Sequence, residues 1–304
     1  MMTKKIPCII CDNKGWKYLY PAQDRMLGLA GKFSEYQCTS CGFVRLAPQP
    51  RGKKLSGYYP AQKYYSYGVG KETFFSRLRK FLISRELFGF VPAMPKPGKR
   101  GNILDVGCGS GDTLALLQSL GWNGYGLELD AGAIKIARKR GVKNASVGSY
   151  RDMKKYPDNF FQAIRLYHVI EHLDDPEACL RLAYKKLAPG GEIIIGTPNI
   201  DSLVAKLAKT YWYNLDCPRH LYLFTPGTLK RLAERCGFGK IQVSFSSAGG
   251  WVGSLQYILA ARGIQKDFIH KQWLVMLVNP FERVLDLLGM GDVFVLTAAK
   301  RQTG

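Results

Sequence analysis

Leu104-Asp105-Val106-Gly107-Cys108-Gly109-Ser110-Gly111 runs an apolar segment straight into three glycines separated by single residues. Residues 102–106 read as a short strand and residues 112–120 as a helix, which places the glycines at a strand-to-helix turn. Glycine there permits a left-handed backbone and lets main-chain amides approach a ligand. Such a turn serves more than one nucleotide-like cofactor, because dinucleotide-binding folds use a related fingerprint.

Moving outward, the pattern strand, turn, helix repeats, which predicts a parallel sheet flanked by helices. Strands are expected over residues 102–106, 125–129, 145–147, 160–167 and 193–196, with late strands at 241–245 and 293–298. Helices are expected over 112–120 and 131–140, around 176–187 and around 226–236. Glu128 falls at the end of the second of these strands, where a carboxylate can accept hydrogen bonds from two ribose hydroxyls. A tight turn with a surface glutamate is the plain alternative.

Together these residues resemble the class I S-adenosylmethionine-dependent methyltransferases, whose motif I has this form and whose ribose-binding acid matches Glu128. The resemblance extends through His168-Val169-Ile170-Glu171-His172-Leu173-Asp174-Asp175-Pro176, Pro189-Gly190-Gly191 and Pro218-Arg219-His220-Leu221-Tyr222-Leu223-Phe224-Thr225-Pro226. These look like one bacterial subfamily whose members often sit beside enzymes of sugar and cell-envelope biosynthesis. It implies a Rossmann-like seven-stranded α/β sheet with helices on both faces, and an S-adenosylmethionine site at Asp105, Gly107, Cys108, Gly109, Gly111, Glu128, Leu129, Ser149, Tyr150 and Tyr167. One departure is Gly148-Ser149-Tyr150, which stands where many class I enzymes place an aspartate near the adenine.

Toward the amino terminus, Cys8, Cys11, Cys38 and Cys41 form two Cys-x-x-Cys knuckles. Each can present two thiolates to one tetrahedral Zn²⁺, and a closed four-thiolate shell is structural. Four reduced cysteines or a rubredoxin-type iron are the alternatives. Cys108, Cys179, Cys217 and Cys236 read as small apolar residues.

Histidine is scarce, and three of the four fall in two motifs: His168 and His172 around Glu171, and His220. A helix beginning at His168 would put His168, Glu171 and His172 on one face. Neutral imidazole oriented by a carboxylate is a competent base near pH 7, and the same set can hold a divalent cation. The resemblance carries both readings. Similar sugar C-methyltransferases use a Glu-His pair in the base region, whereas ubiquinone-pathway and small-RNA O-methyltransferases hold Mg²⁺ with Glu-x-x-Glu-His. His168 replaces the first glutamate of that pattern, which favours proton transfer. The remaining alternative is a cluster that merely caps and orients a helix.

Composition completes the reading. Residues 1–100 hold 19 Lys and Arg against 5 Asp and Glu, a net of +14, while the whole chain is +21. Such a front end suits RNA, an anionic membrane surface in peripheral contact, or a phosphorylated precursor. Phe74, Phe75, Leu78, Phe81, Leu82, Leu87 and Phe88 alternate with Arg77, Arg79, Lys80 and Arg85, predicting a basic amphipathic helix before the breaker run at 92–98. Three segments follow: a zinc ribbon over 1–50, a basic helical linker over 51–100 and the catalytic domain over 101–304. The start lacks an apolar secretory core, so a cytoplasmic protein is expected. The uncharged run 241–261 is read as a buried strand, a loop and a helix start. The functional expectation is methyl transfer to a small-molecule acceptor, a sugar or cell-envelope precursor, with methylation of ribosomal RNA and a non-catalytic adaptor of the same fold as rivals.

Overall fold

The computed structural model describes residues 6–60, 93–96, 100–247 and 249–301. The basic amphipathic helix expected over 74–88 lies outside these residues, as do positions 92, 97 and 98 of the breaker run. The amino-terminal segment is a three-stranded antiparallel meander of β1 (Trp16–Ala22), β2 (Phe33–Cys38) and β3 (Val44–Ala47), followed by the one-turn α1 (Lys53–Ser56).

The alternating units then appear in order as β4 (Gly101–Val106), α2 (Asp112–Ser119), β5 (Trp122–Glu128), α3 (Ala131–Lys139), β6 (Asn144–Val147) and β7 (Phe161–Tyr167). After them come α4 (Pro176–Lys186), β8 (Leu187–Pro198), α5 (Leu203–Ala208), β9 (Tyr222–Leu223), α6 (Pro226–Arg235) and β10 (Gly239–Phe245). The chain closes with α7 (Gly250–Ala260), α8 (Gln272–Leu287) and β11 (Val293–Ala299). Helix starts are written locally. Asp130 accepts the amides of Gly132 and Ala133 at 2.6 and 3.1 Å, Asp175 caps α4 ahead of Pro176, and Thr225 caps α6 ahead of Pro226.

The main sheet has the order β10-β11-β8-β7-β4-β5-β6, with β10 and β11 antiparallel to their neighbours and the rest parallel. Strand order reverses between β4 and β7. In open α/β sheets the ligand crevice opens beyond the carboxyl ends of the strands at that switch point. The loops leaving β4 and β7, which carry the glycine turn and the histidine motif, therefore face each other.

Two expectations need correction. β8 begins at Leu187 and runs across Pro189-Gly190-Gly191, because pairing with β7 resumes on both sides of an irregularity there. β10 is mostly exposed, since as the last strand of the sheet it pairs with β11 alone. The amino-terminal meander gains a fourth strand from far along the chain: β9 pairs with β3, Val44 opposite Leu223 and Arg45 opposite Tyr222. Phe33, Val44 and Leu46 then share a buried cluster with Val204, Trp212, Leu215 and Leu223. Among the described residues no helix is long and apolar enough to cross a membrane.

Candidate active site

At Gly107 (φ 74°) a Cβ would collide with Val169 on the facing loop, and at Gly111 (φ 75°), the N-cap of α2, it would press on Ala137. Gly107 and Cys108 donate their amides to Leu127 O at 2.7 and 3.2 Å, binding the turn to β5. Glu128 accepts Gly109 N at 3.0 Å on Oε2, and Leu129 N and Asp130 N at 2.7 and 3.2 Å on Oε1. Three amides thus hold the carboxylate at the lip, leaving roughly one of its four acceptor sites for a ligand hydroxyl.

A cavity of about 1160 Å³ opens there. Gly107, Gly109, Glu128, Leu129, Ser149 and Tyr150 line it, as do His168, His172 and His220. Asp105, Cys108, Gly111 and Tyr167 do not. Asp105 is buried beneath the turn and takes both oxygens to Arg165 Nη1 at 3.0 Å, from the register position directly opposite on β7. Cys108 packs in the core under α2, and Tyr167 packs beside Gly196 with the Arg165 guanidinium over its ring. At the position lacking the adenine-side acid, Ser149 N and Oγ are engaged by Asp152, and Arg151 lies over the Tyr150 ring while pairing with Asp174.

The other end of the cavity begins where β7 stops. His168 adopts a left-handed backbone (φ 54°), and only a single 3₁₀ turn, Ile170–His172, follows. His168, Glu171 and His172 therefore do not share a regular helical face. Glu171 is fully buried between them: Oε1 lies 3.3 Å from His168 Nδ1 and 3.9 Å from His220 Nε2, and Oε2 accepts Thr197 Oγ1 at 2.9 Å. Burial pushes this carboxyl up, but the His168 hydrogen bond and the surrounding imidazoles outweigh it and hold the group down at about 2. Burial, with His172 beside it, pushes His220 down to about 4, so His220 is neutral at neutral pH.

Contrary to the expectation that Glu171 orients His172, the partner of His172 Nδ1 is the Arg219 carbonyl at 3.1 Å, with Tyr59 Oη at 3.0 Å. His220 Nδ1 faces Asn214 O at 2.9 Å, and the His172 and His220 rings meet edge to face at 4.6 Å. All three imidazoles thus commit Nδ1 to an acceptor. That network favours the proton on Nδ1 and leaves Nε2 as the atom free to act.

Arg219, Tyr59 and Asn214 are the members that sequence reasoning did not single out. Arg219 lay inside the quoted Pro218-Arg219-His220 motif, and Tyr59 lies in Tyr58-Tyr59-Pro60, a stretch that resembles the linker after the ribbon in sugar-modifying methyltransferases but gives no sign of a site role; Asn214 carried no local signal. The Arg219 guanidinium is fully buried and grips Asp24 at 2.8 and 2.9 Å and Asp216 at 2.6 to 3.1 Å, with Tyr58 O at 3.2 Å. One side chain therefore locks the amino-terminal segment to the loop that presents His220 and the carbonyl under His172.

The four cysteines also converge. Cys8 Sγ lies 3.5 Å from Cys41 Sγ and Cys11 Sγ 3.5 Å from Cys38 Sγ, and all four sulfurs lie within 4.8 Å of one another. Zn–S bonds of about 2.3 Å in a tetrahedron need S···S edges of about 3.8 Å, so the donor set fits zinc. Cys108, Cys179, Cys217 and Cys236 are buried free thiols elsewhere.

The family model described as a methyltransferase domain matches residues 76–243, more than half of the chain. The chain belongs to this family. Ubiquinone biosynthesis O-methyltransferase of Xanthomonas oryzae pv. oryzae (strain PXO99A) is 30% identical to this chain over 102 residues, 32% of this chain and 43% of that protein. The Chromobacterium violaceum protein of the same name is 28% identical over 149 residues, 45% of this chain and 64% of its own. The chain thus spans less than two thirds of the length of these relatives. A S-adenosylmethionine-dependent methyltransferase from Archaeoglobus fulgidus superposes with a TM-score of 0.50 at 23% identity, covering 74% of this chain and 94% of that one. Phosphoethanolamine N-methyltransferase 2 from Haemonchus contortus, in complex with phosphomonomethylethanolamine and S-adenosylhomocysteine, gives 0.52 at 17% identity, covering 95% and 69%. At these identities the likeness is one of fold.

Proposed function

We propose that the protein transfers the methyl group of S-adenosylmethionine to an oxygen, nitrogen or activated carbon of a small-molecule acceptor. The observation that carries this is the single cavity joining the glycine turn and Glu128 to three imidazoles. When bound, the cofactor supplies an electrophilic methyl carbon. Gly107 and Gly109, bare of side chains at the cavity wall, would let the cofactor approach the turn closely, and Glu128 would take a ribose hydroxyl. Beyond the strand switch, Nε2 of His172 receives the acceptor's proton, while the Arg219 carbonyl steadies Nδ1–H and buried, ionised Glu171 favours positive charge on the imidazoles beside it.

Glu128→Ala is expected to weaken S-adenosylmethionine binding by tenfold or more, on the order of 1.5–3 kcal/mol, because charge-assisted bonds are lost and the Gly109, Leu129 and Asp130 amides lose their shared acceptor. Calorimetric titration checks it; an unchanged dissociation constant places the cofactor elsewhere.

The acceptor end is lined by Gln49, Arg51, Tyr59, Tyr213, Asn214 and Asp216, a polar set suited to a sugar or a phosphorylated envelope precursor. Assaying radiolabelled methyl transfer into fractionated extracts tests this. Incorporation into RNA instead, falling steeply with salt, would replace the small-molecule reading with RNA methylation. Metal assistance is a second reading, since Glu171, His172 and His220 offer ligand atoms within 4.8 Å of one another. Loss of turnover to a weak chelator and its return with Mg²⁺ or Mn²⁺, at constant zinc content, would select it.

Residues 1–50 form a zinc ribbon in this reading, 51–100 a basic linker and 101–304 the catalytic domain, in a cytoplasmic protein. Cys8, Cys11, Cys38 and Cys41 would hold one structural Zn²⁺ per chain, countable by elemental analysis. Metal-free reduced protein whose stability is untouched by Cys8→Ser and Cys38→Ser would remove the zinc.

A further inference from the structure

Helix α8 is built the wrong way round for a soluble fold. Its inward side is partly polar: Glu282 is buried and accepts Gly249 N at 3.1 Å, and Asp286 accepts Ser247 N at 3.0 Å and Ser247 Oγ at 2.6 Å. Its outward side carries Trp273, Leu277, Val284 and Leu287, continued by Leu288 at the C-cap, with Trp273 64%, Leu277 70% and Leu287 88% exposed, while Phe281, half-exposed, meets the Trp251 ring of α7 edge to face. Trp273, Leu277, Phe281 and Val284 fall at spacings of 4, 4 and 3 along the 16-residue helix, about 24 Å long, and Leu288 at its C-cap continues the stripe. A contiguous apolar face of that length marks an interaction surface.

Charge selects the occupant. The turn leading into α8 carries Arg262 and Lys266 in solvent, neither pairing with an acid among the described residues, and Lys271 stands at the N-cap with its ammonium over the Phe268 ring. An apolar stripe with an aromatic residue and lysine at its edge is the composition of helices that lie in a membrane–water interface. A chain of net charge +21 is drawn to anionic headgroups over the same distance range.

We propose that the hairpin of α7 and α8 docks the protein on an anionic lipid bilayer, with α8 lying in the interface. The hairpin is continuous with the acceptor end of the cavity. Tyr213, which lines that cavity, packs against Gly253, bonds Ser254 Oγ through its amide at 3.0 Å, and lies 5.6 Å from the Tyr257 ring. Docking therefore brings the acceptor end toward the lipid surface. This does not depend on which atom is methylated.

The test is flotation of the full chain with phosphatidylcholine vesicles with and without one quarter phosphatidylglycerol. Binding is expected to the anionic vesicles, to fall about tenfold in Leu277→Glu/Leu287→Glu and to weaken with salt in the parent protein. Arg262→Ala/Lys266→Ala should weaken it further, and cofactor binding should be unchanged in every variant, showing that each is folded. Three results overturn the proposal: no binding to anionic vesicles; binding undiminished by the Leu277→Glu/Leu287→Glu pair, which would assign lipid contact to the basic segment 51–100; or a concentration-dependent dimer, dissolved by that pair, in a protein that ignores vesicles.

Discussion

Replacing Arg219 with methionine is expected to cost the fold about 3–5 kcal/mol, the range for removing one partner of a buried ion pair. Asp24 and Asp216 would be left facing each other in the interior with no counter-charge, and the Tyr58 carbonyl would lose its donor. The pairing holds Arg219 protonated more firmly than usual despite burial, so the side chain is cationic at any working pH. Lysine is a poor replacement, since one ammonium cannot reach two carboxylates in the planar geometry a guanidinium offers. Equilibrium denaturation in guanidinium chloride measures the change, and a loss below about 1 kcal/mol would mean that the cluster relaxes around the deletion. Because the Arg219 carbonyl receives His172 Nδ1, turnover in whatever remains folded should fall as well.

His172→Ala should lower kcat by about 10²- to 10⁴-fold while leaving cofactor affinity nearly unchanged, the signature of a lost proton acceptor. His172 stands at the cavity with Nδ1 occupied, so Nε2 alone is available, and nothing in the glycine turn depends on it. Near wild-type turnover in both His172→Ala and His220→Ala would leave the site acting by positioning alone. The cluster also sets the response to acid. His220 is held at about 4 in the fold and titrates near 6.5 when unfolded, so the unfolded chain takes up its proton first and stability falls as pH drops from about 6.5 toward 4. Glu171, held at about 2 against an ordinary 4.5, contributes stability above that value and loses it as pH drops further. Both act in the same direction. Thermal unfolding against pH should show the loss, with a shallower decline between 6.5 and 4 in His220→Gln.

Sequence alone determined what is carried by residues a few positions apart. Hydrophobic runs alternating with helical periodicity specified the parallel sheet, and Asp130, Asp175 and Thr225 fixed three helix starts because a cap needs only its own next three amides. Gly107, Gly109 and Gly111 specified the turn, and the two Cys-x-x-Cys pairs specified a four-cysteine cluster. Only the tertiary structure decided what depends on register and on which loops meet. Asp105, inside the motif, turns inward because β7 happens to place Arg165 opposite it. Glu171 orients His168 and faces His220 across a gap while a carbonyl from 47 residues away orients His172, since the chain after β7 makes one 3₁₀ turn instead of a helix. Asp24 meets Arg219 across 195 residues, and β9 completes the sheet of the amino-terminal segment. Contacts of that separation leave no periodic trace in the chain. They exist only once loop-closure entropy has been offset by burial of the cores on which they rest.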